Sequence, residues 1–264
     1  MVKNTKPQVG AVKKIYEVNS VPHASRAKNR QYQLQNEIIE IILREKLVPG
    51  DPLPTEQQLI EELEVGRNSL REALKVLEGL GIIEVRHGFG TFVGGRVLEA
   101  MTRGLTFRGL TSLHRGGKEA RELTDVRQAL ETGLIALAIP LMSDEQIAKI
   151  EYAVTQMEQA VKEGKDWSCW DREFHASLYE PLKNDLLSEL LEVFWIVYNV
   201  ISVELDAVVP ASQKQGESLV AAHRDILNAV KKGDAVAGTE LMAAHFAGIR
   251  GRLTAWQRAT REDT

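Results

Sequence analysis

The chain has 264 residues, of which 44% are hydrophobic and 27% are charged, with a formal net charge of −4. This composition is ordinary for a soluble globular protein, and the length suits one large domain or two modest ones. A single cysteine excludes an intramolecular disulfide framework, and neither an apolar leader nor an 18-residue apolar run is found, so we expect a cytoplasmic protein without a membrane span.

Residues 1–30 form a basic segment without helical periodicity. Seven lysines and arginines stand against one acid, Glu17, so this segment carries +6 while the rest of the chain is acidic. Two interpretations stay open: a flexible arm that follows DNA phosphates, and a solvated tail without a role.

Residues 31–95 predict a winged helix-turn-helix, beginning with two helices. Apolar residues at helical spacing over 34–42 indicate the first helix, which "VPGDPLP" ends. Thr55 followed three residues later by Gln58 is the pattern of a capping box and starts a second, short helix near Glu56.

A third helix and a hairpin complete this predicted domain. The turn "EVG" leads into the helix, for which we expect Asn68 as N-cap and Gly81 as the end. The expected apolar face of the helix is Leu70, Ala73, Leu74, Leu77 and Leu80. The stretch "IIEVRHGFGTFV" contains two short β-rich runs around a glycine-containing turn, which predicts the wing.

The polar face of the third helix indicates a nucleic-acid interface. Arg67, Arg71 and Lys75 recur every four residues opposite the leucines, so they project from one side. Arginine suits guanine edges and phosphates, and the wing tip suits the neighbouring minor groove. The alternative is a solvated helix face, which the surrounding turn, cap and wing disfavour. The predicted DNA contacts are Thr55, Arg67, Ser69, Arg71, Lys75, Arg86, His87 and Gly88.

The stretch "LPTEQQLIEELEVGRNSLREALKVLEGLGIIEVRHGFGTFV" resembles the DNA-binding domain of GntR-type bacterial transcription regulators. The resemblance implies that Arg67, Ser69, Arg71, His87 and Gly88 contact operator DNA. It departs at Gln57, where many relatives have an arginine that helps to hold the DNA backbone.

The rest of the chain predicts a linker at residues 96–118, with a short helix around Leu98–Leu105, and an all-α antiparallel bundle at residues 119–264. The whole chain is therefore expected to be mostly α. The first bundle helix has an apolar stripe of Leu123, Val126, Leu130, Leu134 and Leu137, and Ser143 with Gln146 forms a second capping box. The run Leu186–Leu205 is apolar on all sides, so we expect it to be central.

Three histidines and an aspartate in this bundle predict a metal site. Asp171 and His175, in "WDREFH", are four residues apart and therefore adjacent on a helix. His223 precedes the turn at 233–234 by about as many residues as His245 follows it, so in an antiparallel hairpin the two are level.

The spacing of the neighbouring apolar residues directs both of these histidines inward. Buried imidazoles beside a carboxylate require a compensating partner, and a divalent cation supplies one. Three imidazoles and one carboxylate suit zinc first, with nickel, manganese or iron(II) as other choices. The alternative is a hydrogen-bonded polar core without metal.

"TDVRQALE", "DREFH", "AHRDILNAVKKGD" and "MAAHF" are similar to the motifs of the FCD effector domain, found in the FadR-like GntR subgroup. The resemblance implies a divalent metal on Asp171, His175, His223 and His245, and a carboxylate effector that ligates the metal and pairs with Arg127. Members without the histidines bind acyl-CoA, so this chain resembles the small-acid branch. Tyr198 and Asn199 interrupt an apolar helix; they are candidates for effector contacts, and helix packing is the alternative role.

The expected function is a metabolite-responsive transcription regulator. We expect a homodimer on a pseudo-palindromic operator and an effector, a short hydroxy-, keto- or sugar acid, that releases DNA as in a repressor. A metal-dependent hydrolase is one alternative, although Glu173 is offset from both Asp171 and His175 and so is no general base beside them. A regulator with a purely structural metal is the other.

Overall fold

The computed structural model describes residues 26–210 and 212–262, so most of the predicted basic arm at 1–30 lies outside the described residues. The chain divides into two compact units, Met1–Ala100 and Met101–Thr264. The first contains the helix-turn-helix segment with its two strands, and the second contains helices.

The first unit has a helix-turn-helix with a two-stranded wing. Its elements are α1 (Arg26–Arg44), α2 (Glu56–Leu63), α3 (Arg67–Gly79), β1 (Ile83–Arg86) and β2 (Gly90–Val93). The strands pair antiparallel, with Ile83 opposite Val93 and Arg86 opposite Gly90. One apolar core joins the three helices to the hairpin. The predicted fold class of this segment is therefore confirmed.

Local capping explains where these helices begin. The capping box predicted for α2 is present: Gln58 N donates to Thr55 Oγ1 at 3.3 Å, and Thr55 N donates to Gln58 Oε1 at 2.8 Å. The expectation that Asn68 caps α3 was wrong. The left-handed Glu64, with φ of 52°, ends α2 so tightly that the extended Gly66 is already the N-cap and the helix begins at Arg67.

The apolar face of α3 matches the prediction except at its last position. Leu70, Ala73, Leu74 and Leu77 are buried, whereas Leu80 is 44% exposed. The helix ends at Gly79, so Leu80 no longer follows the helical face of the other four residues.

The remaining elements are all helical. They are α4 (Val97–Leu113), α5 (Lys118–Ala138), α6 (Asp144–Lys162), α7 (Ser168–Tyr179), α8 (Asp185–Val208), α9 (Gln213–Lys232), α10 (Ala235–His245) and α11 (Ala247–Glu262), with 3₁₀ turns at Ile139–Leu141 and Glu180–Leu182. The predicted linker at 96–118 is mostly the regular helix α4, longer than the expected Leu98–Leu105. Gly104 and Gly109 lie inside this helix, and Gly109 allows the close approach of Ile201.

Helix α5 buries a different face from the one that its leucines predicted. Val126 is 53% exposed and Leu137 is 62% exposed, so the leucine stripe is not the buried face. The residues buried on α5 are Ala120, Thr124, Arg127, Glu131, Ile135 and Ala138. The helix is rotated so that a charged pair, Arg127 and Glu131, lies inside the unit.

Helix α8 is a core helix with one solvent-facing side, rather than the central helix expected. By length and by a mean hydropathy of 1.6 it is apolar enough to cross a membrane, which the sequence inspection did not anticipate. Val197, Ile201 and Leu205 are buried in the core of the helical unit. Val203 on its other side is 61% exposed, and Leu186 in its first turn is 60% exposed.

The turn after α3 generates a first prediction. Gly81 has φ of +71°, and a Cβ added there would lie 2.3 Å from the carbonyl oxygen of Arg96. Gly81→Ala should therefore lower the free energy of unfolding of the winged unit by at least about 2 kcal/mol, through backbone strain and overpacking. The loss is measured by urea unfolding of the full chain, with hydrogen exchange of the β1–β2 hairpin amides as the probe of the winged unit.

Gly79→Ala is the matched control. Gly79 is helical, and a Cβ there meets nothing within 4 Å. This change should be neutral or stabilise by up to about 1 kcal/mol. Equal hydrogen-exchange protection in the two variants would contradict the role assigned to the Gly81 turn.

Candidate functional site

The helical unit brings together the four predicted metal ligands. Asp171 and His175 lie on α7, His223 on α9 and His245 at the end of α10. One ligand atom from each residue lies within 4.8 Å of every other. Asp171, His175 and His223 are buried, and His245 is half-buried.

A tight turn between α9 and α10 sets two histidines level. Gly233 ends α9 in the left-handed conformation, with φ of 68°, and the Asp234 carboxylate accepts from Ala237 N at 3.0 Å to start α10. The two helices then run antiparallel from this turn. The imidazole rings of His223 and His245 lie 4.4 Å apart between centroids as a result.

The hydrogen bonds of His223 leave two acceptors facing each other. His223 Nδ1 lies 2.8 Å from the carbonyl oxygen of Leu219, so Nδ1 carries the proton and donates it. A neutral imidazole then directs the lone pair of Nε2 at Asp171 Oδ1, which is only 2.9 Å away. Two acceptors at this distance require a positive charge, either a second ring proton or a cation.

His175 is oriented in the same way. Its Nδ1 makes a short hydrogen bond to Glu131 Oε2, which fixes the ring proton on Nδ1. Nε2 then carries a lone pair, lies 3.6 Å from Asp171 Oδ1, and is buried without a hydrogen-bond partner among the described residues. His245 Nδ1 is likewise buried without a partner there.

The charges of the cluster favour metal ligation. Burial alone would raise the pKa of the Asp171 carboxyl, but its close contacts with the His223 and His175 rings hold that pKa well below its usual range. Burial, together with His223 and His175, lowers the pKa of His245 well below its usual value. An ionised carboxylate and a neutral imidazole are the forms in which these groups bind metals.

The donor set therefore fits a divalent cation. The buried nitrogen atoms of His175 and His245 without partners, and the opposed acceptors of His223 and Asp171, are satisfied together by one positive charge at their centre. Three imidazole nitrogens and one carboxylate oxygen suit zinc and other first-row divalent ions.

Arg127, the predicted effector contact, lies beside this cluster. It is buried; its Nε donates to Glu131 Oε1 at 2.6 Å, and its guanidinium lies 5.0 Å from the centre of the Tyr198 ring. It lines two cavities. One is also lined by His175 and Trp195; the other is mainly apolar. Asn199 does not line either of them, so its predicted role stays a prediction.

Two residues of the site were missed by the sequence reasoning. Glu131 is buried between Arg127 and His175, and burial would raise its pKa, but these two partners lower it to about 2. The hydroxyl of Tyr179 lies 3.1 Å from the backbone oxygen of Glu131 and 3.3 Å from its Oε2. Glu131 could have been found from its position four residues after Arg127, because this spacing places the two side chains next to each other on one helix face.

The predicted DNA contacts on α3 form an exposed polar face. Arg67, Ser69, Arg71 and Lys75 are all exposed, opposite the buried leucines. Arg71 pairs with Glu56 at 3.2 Å and Lys75 with Glu72 at 2.7 Å. These ion pairs lie at the surface, where each contributes little to stability and exchanges readily for phosphate.

The wing presents the remaining predicted contacts. His87 and Gly88 are exposed in the hairpin turn, and Gly88 has φ of +80°. Arg86 lies along the hairpin, paired with Glu84 at 3.2 Å and placed over the Phe92 ring. Phe89, which the sequence analysis did not single out, is 84% exposed at the tip. Thr55 is exposed, with its hydroxyl used in the α2 cap.

Comparison with protein families identifies both halves of the chain. The model of bacterial regulatory proteins of the gntR family matches residues 31–93, and the model of the FCD domain matches residues 122–248. Together they match most of the chain, and the FCD match contains all four residues of the metal-ligand cluster.

Relatives with curated names are transcription regulators. The chain is 27% identical over 212 residues to the HTH-type transcriptional regulator LutR of Bacillus subtilis (strain 168), covering 80% of this chain and 95% of that protein. It is 29% identical over 233 residues to the Uxu operon transcriptional regulator of Escherichia coli (strain K12), covering 85% and 87%. Among solved structures, Streptococcus agalactiae GntR matches with a TM-score of 0.56 at 26% identity, covering 84% and 99%.

The buried Arg127–Glu131 pair generates a second prediction. Arg127→Met leaves a carboxylate inside the protein without its arginine and should lower the free energy of unfolding by about 3–5 kcal/mol. The measurement is urea unfolding of the full chain in the presence of a chelator, so that metal binding does not contribute.

Arg172→Met is the control, because it removes the same charge and shortens the side chain in the same way as Arg127→Met. Arg172 pairs with Glu192 at 2.6 Å, but the two side chains are 51% and 37% exposed. Breaking an exposed pair should cost less than about 1 kcal/mol. Similar losses in the two variants would show that burial of the Arg127 pair has no energetic role.

Proposed function

The chain belongs to the gntR family of bacterial regulatory proteins and is a transcription regulator with an FCD effector domain; from this premise we propose that it is a metabolite-responsive repressor. Its FCD domain binds a divalent metal and a small carboxylic acid, and the acid releases operator DNA. The observation that carries the proposal is the buried cluster of Asp171, His175, His223 and His245, whose acceptor atoms face one another.

The winged helix supplies the DNA-binding part. Arg67, Ser69 and Arg71 lie on the exposed face of α3, which we assign to the major groove, and His87 and Gly88 lie at the wing tip, which we assign to the minor groove. Thr55, Lys75 and Arg86 complete the proposed contact surface. Gln57 donates to Glu61 at 2.7 Å and carries no charge, so it contributes no ionic contact to a DNA phosphate.

The metal and the effector share one site. The four cluster residues hold the cation, with zinc as the first choice, and the bound cation supplies a Lewis-acidic centre for the acid's carboxylate. Arg127 donates a charge-assisted hydrogen bond to the same carboxylate. The cavity between Arg127 and His175 receives the acid.

Polar groups on the wall of this cavity indicate the class of acid. The indole nitrogen of Trp195 is buried without a partner among the described residues, and Ser188 and Arg172 also line the cavity. A short hydroxy-, keto- or sugar acid provides acceptors for these donors. Asn199 is kept as a further candidate contact.

The two-fold symmetry of the proposed operator indicates the oligomeric state of the protein. We propose a cytoplasmic homodimer, because a two-fold operator is bound by two winged helices with higher affinity than by one. Coupling between acid and operator of about 1–3 kcal/mol, or 5–150-fold in affinity, is the usual scale for such regulators. The relatives are transcription regulators, not enzymes, so the hydrolase alternative is set aside.

Removal of one imidazole tests the metal site. His175→Ala and His223→Ala should each weaken zinc binding by more than about 100-fold, because even changes in the partners of metal ligands cost about 10–100-fold. Elemental analysis of untagged protein and competition with a chromophoric chelator provide the measurement. His114→Ala, an exposed histidine outside the cluster, should retain native metal content.

Acid titration separates a regulatory site from a structural ion. Lactate, pyruvate, gluconate and galacturonate are titrated into zinc-loaded protein by calorimetry, and at least one should bind and lower operator affinity. Binding of none would support a purely structural ion, while full metal content in His223→Ala would end the metal assignment itself.

Replacement of the first arginine of α3 tests the DNA assignment. After an operator is selected from random duplexes, Arg67→Ala should cost about 1–3 kcal/mol of binding and relax base preference at one position, if the contact is bidentate. Lys232→Ala removes an exposed cation from the helical unit and is the charge-matched control. Native affinity and specificity in Arg67→Ala would mean that another residue reads the bases.

A further inference from the structure

One buried carboxylate contacts both the metal cluster and the effector arginine. The Glu131 side chain is 1% exposed, and its two oxygens have different partners. Oε1 accepts from Arg127 Nε at 2.6 Å, and Oε2 accepts from His175 Nδ1. The hydroxyl of Tyr179 adds a contact of 3.3 Å to Oε2.

We propose that Glu131 is a positioning residue that couples the two halves of the effector site: it holds His175 in the tautomer that the metal requires and holds Arg127 in place for the acid. This inference rests on the proposed function, because it assigns the link between metal and carboxylate binding within that site. Glu131 lies on α5 within the FCD match, but the spacing of the four ligands does not include it.

The chemistry of the His175 ring explains the first half of this role. With the proton on Nδ1 donated to Glu131, the lone pair of Nε2 lies on the side of Asp171, 3.6 Å from its Oδ1. A carboxylate partner also makes the imidazole a stronger base. If Nδ1 lost this acceptor, the ring proton would be free to move to Nε2, which cannot then bind a cation.

The packing around Arg127 explains the second half. The guanidinium lies 5.0 Å from the centre of the Tyr198 ring and 5.5 Å from that of Phe246, and the hydrogen bond from its Nε to Glu131 is the directional contact that sets its rotation. Any movement of the Glu131 carboxylate toward one partner alters its distance to the other. Occupation of one site therefore changes the other, and by thermodynamic reciprocity the effect is mutual.

The test uses metal alone. Glu131→Gln keeps the shape of the side chain, but its amide has one acceptor oxygen, and its NH₂ group must face either Arg127 or His175. We expect the Co²⁺ affinity of the full chain to fall about 10–100-fold, with a changed visible absorption spectrum. Glu122→Gln, an exposed acid on the same helix, should bind Co²⁺ as the native chain does.

Two further variants keep the test decisive if Glu131→Gln folds poorly. Glu131→Asp keeps the charge but withdraws the carboxylate by one methylene, and should also weaken Co²⁺ binding by about tenfold or more. Tyr179→Phe leaves both oxygens of Glu131 with their main partners and should change the affinity less than about threefold. Native affinity in both Glu131 variants would overturn the proposal.

A double-mutant cycle tests the coupling. Arg127→Lys removes the Nε donor that fixes Glu131 Oε1, so it should weaken Co²⁺ binding by about threefold or more, although Arg127 is not a metal ligand. In the E131Q background the same change should have no further effect. Additive effects would refute the coupling, whereas a native chain that fails to bind Co²⁺ would refute the proposed metal site itself.

Discussion

The helical unit depends on one contact in its interior, in which two hydrogen-bond acceptors, a histidine nitrogen and an aspartate oxygen, face each other. His223 Nε2 and Asp171 Oδ1 face each other at 2.9 Å because the Leu219 carbonyl holds the imidazole proton on the opposite side of the ring. An arrangement of this kind is costly in a protein interior unless a positive charge is present. Either a second proton on the His223 ring or a cation provides that charge, and three helices place the cluster residues around this point.

The same requirement explains why α5 presents a charged face to the interior. Leucine periodicity favours a rotation that would bury Val126 and Leu137, yet both are exposed. The observed rotation instead places Glu131 against His175, and Arg127 against Glu131. An unpaired buried imidazole N–H and an unpaired guanidinium are each more costly than two exposed aliphatic side chains, so the polar network determines which face of α5 is inside.

These two constraints account for what the sequence could and could not predict. The clustering of Asp171, His175, His223 and His245 was predictable because two short-range relations, the Asp171–His175 spacing and the level positions of His223 and His245 about a turn, follow from helix geometry alone. The contact of Glu131 with His175 was not predictable, since 44 residues separate them; the only local signal for Glu131 was its spacing from Arg127. The winged helix was predictable down to the capping box, whereas Asn68 failed as a cap because the left-handed Glu64 set the turn. Most of the basic arm lies outside the described residues.

The ion pairs of the winged helix explain how an acidic protein can present a DNA-binding face. Arg71, Lys75 and Arg86 each have a carboxylate partner in the free protein, at 2.7 to 3.2 Å. In the proposed contact surface, DNA binding exchanges these partners for phosphates or base edges, and the released carboxylates remain near the duplex. Each carboxylate repels the phosphates and so opposes non-specific binding, which depends almost wholly on phosphate charge. At an operator, a base contact with good geometry compensates for the lost ion pair. If these side chains contact DNA as proposed, the acidic residues around α3 and the wing weaken binding to arbitrary DNA more than binding to an operator, and so they increase specificity rather than affinity.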